Sequence, residues 1–295
     1  MKHIALLTLC CSLLLPLGAA ADQAVDRTAA AAANGTVDIE NLSGSLRIEG
    51  WDRGEVKITG SLGDDVEELQ VRSEGNRTSI RVKLPEGNQR GNKDFNADLV
   101  IKVPRNSSLS AETVSSSIGV SGVYGKVELQ TVSGKIEASG EPRQLEIDTV
   151  SGEIRADVRT DDVDLETVNG KIHLDGSFRK VEVNSVSSDL ELSLGTTEQV
   201  SVQSVSGNLA ISADPGAAGR LEIQAHSGNV DLTLPAGIAA DFSVTTFSGE
   251  IKNDFGPPAR RNSEFAPGKS LEFSTGNGAR VKVQSFSGGV HLIKG

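Results

Sequence analysis

Three stretches decide the fold: VELQTVSGKIEASG at 127–140, LEIDTVSGEIRADV at 145–158 and VDLETVNGKIHLDG at 163–176. They are copies of one fourteen-residue unit, and further copies begin at Val37, Leu109, Val181, Val200, Leu221, Phe242 and Val281. From Leu109 to Val181 the starts lie 18 residues apart, and the later steps widen to 19, 21, 21 and 39. A fixed period of this kind marks a repeat architecture. In the copy at Leu145, Leu145, Ile147 and Thr149 alternate with Glu146 and Asp148, the period of a half-buried strand. Ser151-Gly152 interrupts the run, and Ile154 and Ala156 resume it. Two short strands around a corner cannot bury their own apolar face, so the units must stack. Eighteen residues are too few for a propeller blade, and no helical run completes a βαβ unit. The expected fold is therefore all-β: a single-domain parallel β-helix, or β-solenoid, of about ten coils with an 18-residue core repeat. At about 4.8 Å per coil it forms a rod on the order of 50 Å long.

Stacking predicts columns. Leu145, Val163, Val181 and Val200 form an inward column, with Ile147, Leu165, Val183 and Val202 beside it. A hydroxyl column follows (Thr113, Thr131, Thr149, Thr167, Ser185, Ser204), expected inside or at a corner with its hydroxyls bonded to backbone or to one another. Next comes a valine column at 114, 132, 150, 168, 186 and 205, continued by Phe247 and Phe286. Gly44, Gly134, Gly152, Gly170, Gly207, Gly228, Gly249 and Gly288 mark the structural corners, where glycine permits positive φ. Ser116 and Ser188 occupy two of these slots, where a wider or mildly strained corner is expected.

The flanks differ. Residues 1–21 read as a signal peptide: Lys2, an apolar run from Ile4 to Leu17, and a cleavage site after Ala21. Leu9 before Cys10, and an apolar run that continues past the cysteines, argue against lipidation. With Cys10 and Cys11 inside the leader, the remainder has no cysteine for disulfides, nucleophiles or metals. Residues 22–36 read as a flexible lead-in and 37–295 as the solenoid domain. Within it, 37–103 is an N-terminal capping region of longer strands, 109–255 holds the regular coils, and 256–295 holds an irregular loop, a hairpin (Ser270–Ser274 with Arg280–Ser285) and the last coil. Caps are needed because an open end exposes an unpaired edge.

The 295 residues carry 29 Lys and Arg against 40 Asp and Glu, a net charge of −11, and aromatics are 3% of the chain. An acidic surface poor in aromatics excludes nucleic-acid backbone binding and base stacking. No later segment approaches a membrane span, so the exported chain is expected in the periplasm, in the medium or on the cell surface.

The TVSGKI, TVSGEI and TVNGKI corners, the opening VDIENLSGSLRIEGWDRGEVKITG, and the exits Leu84-Pro85, Val103-Pro104 and Leu234-Pro235 resemble a bacterial family of exported β-strand-repeat proteins. That family is catalogued as domain of unknown function 4097 and described as candidate adhesins. The resemblance spans roughly residues 35–295. It implies a right-handed parallel β-helix outside the cytoplasm and supplies no catalytic residues to transfer.

Little else points to chemistry. His173 and His291 share an outward column, five coils apart at about 24 Å; His226 takes a slot filled by valine in most copies, as a packed or corner residue. No hydrolase, zincin, phosphate-loop or dinucleotide motif is present, and the four to seven residues joining the central coils leave little wall for a catalytic groove. No enzyme activity and no cofactor are expected. Lys135, Glu153, Lys171 and Asp189, and likewise Glu137 and Arg155, should form cross-strand charge ladders. By contrast Glu128, Glu146, Asp164 and Glu182 stack like charges, flanked by Glu112, Asp148 and Glu166 and helped by Asp161 and Asp162. This acidic stripe either binds Ca²⁺ or a cationic partner, or it is a solvated face eased by Lys126, Arg143, Arg179 and Lys180. Trp51 is either a sugar platform or a side chain packed over the first coil. The expected function is a non-catalytic binding or scaffolding, adhesin-like protein of the cell envelope, with an envelope protein or polysaccharide as partner. The alternatives are a polysaccharide-active β-helix and a purely structural envelope component.

Overall fold

The computed structural model describes residues 23–87, 93–261 and 267–295; the leader and its cleavage site lie outside the described residues. The first strands are β1 (Gln23–Ala30), β2 (Thr36–Trp51), β3 (Glu55–Leu62), β4 (Glu68–Glu74), β5 (Arg77–Lys83), β6 (Asn96–Pro104) and β7 (Ser108–Ser121). Next are β8 (Lys126–Gly140), the long β9 (Gln144–Thr196), β10 (Gln199–Ser206), β11 (Leu209–Asp214), β12 (Arg220–Ser227) and β13 (Val230–Leu234). The last are β14 (Ala240–Ser248), β15 (Ile251–Asn253), β16 (Arg260–Arg261), β17 (Lys269–Ser274), β18 (Ala279–Ser287) and β19 (Val290–Lys294). All join one long open sheet, and the described residues contain no helix.

The central pairings are parallel and keep one register. Val127 lies between Leu109 and Leu145, Val200 between Val181 and Leu221. The same side chain therefore recurs at each level, and the inward columns Leu145, Val163, Val181, Val200 and Ile147, Leu165, Val183, Val202 are fully buried. The hydroxyl column is buried beside them. Thr113 donates to Thr131 Oγ1 at 2.8 Å, Ser185 to Ser204 Oγ at 3.1 Å, and Thr131 to the Ser133 carbonyl at 3.1 Å, whereas Thr149 Oγ1 is buried without a partner.

Glycine is required at the corners by close approach as much as by φ. Gly170 has φ +145°, and a Cβ there would strike the carbonyl of Gly152 one coil away. Gly152 lacks the positive φ, yet a Cβ on it would strike the Gly134 carbonyl in the same way. Ser116 and Ser188 hold these slots without positive φ. Both are buried with the side chain turned inward; Ser116 Oγ accepts from Asn41 Nδ2 at 3.2 Å, whereas Ser188 Oγ has no partner.

Stacking does not follow chain order at either end. β18 lies between β12 and β14: Val281 pairs with Leu221 on one side and Phe242 on the other. The expected hairpin between Ser270–Ser274 and Arg280–Ser285 is corrected accordingly, because β17 pairs antiparallel with β14 and not with β18. Residues 275–278 cross the start of β14, held by Thr275 N to the Ala240 carbonyl (2.9 Å) and Ala279 N to the Ala239 carbonyl (3.0 Å). The alternation Val281, Val283, Ser285 matches both neighbours, so burial on two sides outweighs the shorter hairpin connection. At the other end β5 and β6 pair outside β2 while β7 pairs on its inner side. Antiparallel β1, β3 and β4 finish that end, as β16 and β17 finish the other, which blunts the exposed edges. The flexible lead-in expected over 22–36 is corrected accordingly: Gln23–Ala30 is a strand, because its backbone pairs along the whole of β3.

Candidate functional site

Because Leu145, Ile147 and Thr149 point inward, Glu146, Asp148 and Val150 must point outward. The valine column, which periodicity placed without assigning it a face, is therefore on the surface. Its six valines, with Phe247 and Phe286, are each 44–53% exposed. Tyr124 is the other exposed large hydrophobic among the described residues. Beside this ridge runs a polar column, Glu112, Gln130, Asp148, Glu166, Asn184, Gln203, Gln224, Gln284 and Thr245 in stacking order. Between the two lies a furrow of about 1080 Å³ running along the rod. The acids sit toward the N-terminal end, amides occupy the middle, and aromatic rings close the far end.

Those rings are ordered by the inserted coil. Phe286 stacks on His226 at 4.8 Å and 3°, and on Phe247 at 4.9 Å and 6°. His226 is thus an exposed ring in a stacked shelf, which adds to its role as a corner residue. The insertion also brings His173 and His291 closer. The rows run 173, 191, 210, 231 and 291, four spacings or about 19 Å apart. His173 Nδ1 faces Glu191 at 3.3 Å, and His291 faces Asp231 at 4.0 Å and Asp254 at 3.9 Å.

The acidic stripe is partly neutralised. Lys126 Nζ reaches Glu146 at 2.7 Å and Glu128 at 3.1 Å, and Lys180 reaches Glu182 at 3.2 Å. The Glu146 and Glu128 carboxylates hold the Lys126 ammonium above its ordinary pKa. Gln130 donates to Asp148 at 3.3 Å and Asn184 to Glu166 at 3.3 Å. Partial burial, and then the neighbouring Glu166 and Glu146, push Asp148 above the usual carboxylate range. Asp164 is raised in the same way, by burial first and then Glu182, and its Oδ1 is buried without a hydrogen-bond partner. Among the described residues, no group of three or more His, Cys, Asp or Glu is placed to hold a metal ion.

The other charge ladders keep the expected register, Lys135 opposite Glu153 and Glu137 opposite Arg155. Their closest ion pairs nevertheless run along the strand: Lys135 to Glu137 at 2.6 Å and Arg155 to Glu153 at 3.3 Å. Trp51 is half-buried; its Nε1 donates to the Glu55 carbonyl at 2.8 Å and Arg53 covers its ring at 4.9 Å. An indole so engaged is a packing residue more than an open sugar platform. No described helix is long and apolar enough to cross a membrane.

Comparison with known proteins agrees with this geometry. The model of a family described as Toastrack DUF4097 matches residues 32–292. A candidate lipid-binding protein from Parabacteroides distasonis has a similar structure, with a TM-score of 0.57 at 14% identity over 92% of this chain and 97% of that one. A candidate adhesin from Parabacteroides merdae matches with a TM-score of 0.52 at 10% identity over 93% and 100% of the two chains. Another, from Bacteroides fragilis, matches with a TM-score of 0.50 at 12% identity over 92% and 98%. At these identities the likeness is one of fold. No curated protein sequence matches the chain.

Proposed function

The chain belongs to the Toastrack DUF4097 family, and from that membership and its furrow we propose an exported, non-catalytic binding or scaffolding protein of the bacterial envelope. One observation carries the reading: every exposed large hydrophobic side chain but Tyr124, among the described residues, falls in one column beside a continuous hydrogen-bonding column. Exposed apolar patches of this extent mark interaction surfaces. A long open furrow suits an extended partner, whereas small molecules prefer enclosed pockets. Candidate adhesins and a candidate lipid-binding protein among proteins of this fold support a binding role. In this reading residues 37–295 are one right-handed solenoid domain of about ten coils, following a leader cleaved after Ala21.

The test is capture from solubilised envelope and from cell-wall polysaccharide, at low and high salt. Val150→Lys is expected to abolish retention, while Tyr124→Lys leaves it intact. Equal retention by both variants overturns the furrow as the docking surface.

A cation along the acidic stripe is the second reading, favoured by the unpartnered Asp164 Oδ1. Raised carboxyl pKa values mean that Asp148 and Asp164 add stability below the unfolded carboxylate pKa and lose it as pH rises through their folded values. In their charged forms they oppose folding. The double variant Asp148→Asn, Asp164→Asn should therefore raise Tm by about 1–3 °C at pH 7, and by less at pH 4. Millimolar calcium should raise the Tm of the parent chain and not that of the variant. An unmoved parent Tm sinks the calcium reading.

A further inference from the structure

We propose that the furrow is occupied by a second copy of this chain, laid face to face and antiparallel about a two-fold axis at Val186. This rests on the docking reading above and names its partner.

Apart from Tyr124, the apolar ridge is the sole surface of its kind that a second copy can offer among the described residues. An isologous contact must then bring ridge to ridge. The polar column decides the direction. With nine levels from Val114 to Phe247 in stacking order, Val186 is the fifth and central one. A two-fold axis across the rod at that level sets Glu112 opposite Thr245, Asp148 opposite Gln224 and Glu166 opposite Gln203 of the other copy. Every furrow carboxylate then faces an amide or hydroxyl donor. The same operation sets the six valines against valine, the histidine or a phenylalanine. A two-fold axis along the rod loses this match, because it sets each valine against its own level and either separates the polar columns or lays valines on carboxylates. Like charges or buried unpaired carboxylates are costly at an interface, so the order of residues along the column selects the antiparallel pair.

The size is sufficient for a weak dimer. Nine levels at about 4.8 Å and two columns about 7 Å apart, whose side chains widen the strip to about 14 Å, cover on the order of 600 Å² per copy, at the low end of specific interfaces. Dissociation in the micromolar range is the expected consequence.

Sedimentation equilibrium of the purified chain, from about 1 to about 500 µM, should show a monomer–dimer equilibrium. Val186→Lys should remove it by placing two ammonium groups on the axis, and Tyr124→Lys should not. With Cys10 and Cys11 replaced by serine, Val186→Cys should oxidise to a linked dimer, because that residue faces its own copy. Val114→Cys, facing Phe247, should not. A monomer throughout the range overturns the proposal, as does equal cross-linking of the two cysteine variants. A monomer whose envelope capture still depends on Val150 leaves the docking function standing and removes only the second copy. A dimer that captures nothing from the envelope does the reverse.

Discussion

Gly170→Ala is expected to lower the stability of the chain by about 3 kcal/mol, as strain at a special φ combined with overpacking does. At φ +145° an L side chain is already disfavoured, and the new methyl would press on the Gly152 carbonyl. That carbonyl cannot retreat, because Gly152 is itself set against Gly134, and Gly134 against Ser116. Relief at one corner therefore requires movement of the whole column. Two other glycines calibrate the effect. Gly75 has φ +59° with nothing within 4 Å of the place a methyl would take, so Gly75→Ala should cost about 1 kcal/mol from backbone strain alone. Gly237 has open space and no positive φ, so Gly237→Ala should be close to neutral. Denaturant unfolding followed by circular dichroism measures all three. A loss at Gly170 no larger than at Gly75 would mean that the corner column yields and that close approach is not what selects glycine.

These corners also show how far the sequence can be read. The repeat, the inward columns and the glycine slots follow from a period of two inside a period of 18, and each obeys local rules. The exposure of Val150 was equally legible, since three inward residues before it fix its direction. Stacking order was not legible. The copy at Val281 has the same pattern as its neighbours, and nothing local in Val281, Val283 and Ser285 specifies which two strands they lie between. The aromatic shelf inherits this: His226 meets Phe286 through a partner 60 residues away. Side-chain ion pairs were hidden for a different reason. Register fixes backbone neighbours, but long side chains choose between partners along and across strands by small energies, and Lys135 bonds Glu137 in its own strand.

Val283→Asp is expected to cost about 4 kcal/mol or more, at the exceptional end for a single substitution, because it buries an unpaired carboxylate. In chain order Val283 belongs to the last coil, where a frayed end would tolerate it. In space it is fully buried between Ile223 and Val244. The damage should therefore spread both ways. Hydrogen exchange should quicken at Leu221–Ile223 and at Phe242–Val244 together, and also in β17, whose Leu271 pairs with Val244. Val183→Asp, in the middle of the rod, should cost a similar amount, since Val183 is buried to the same degree. Exchange that quickens only within Ala279–Lys294 would show that β18 is a terminal strand, and the inserted order would be wrong. If the spread is seen, the last residues of the chain complete an interior layer, and the neighbouring coils reach their full protection only once that segment is in place.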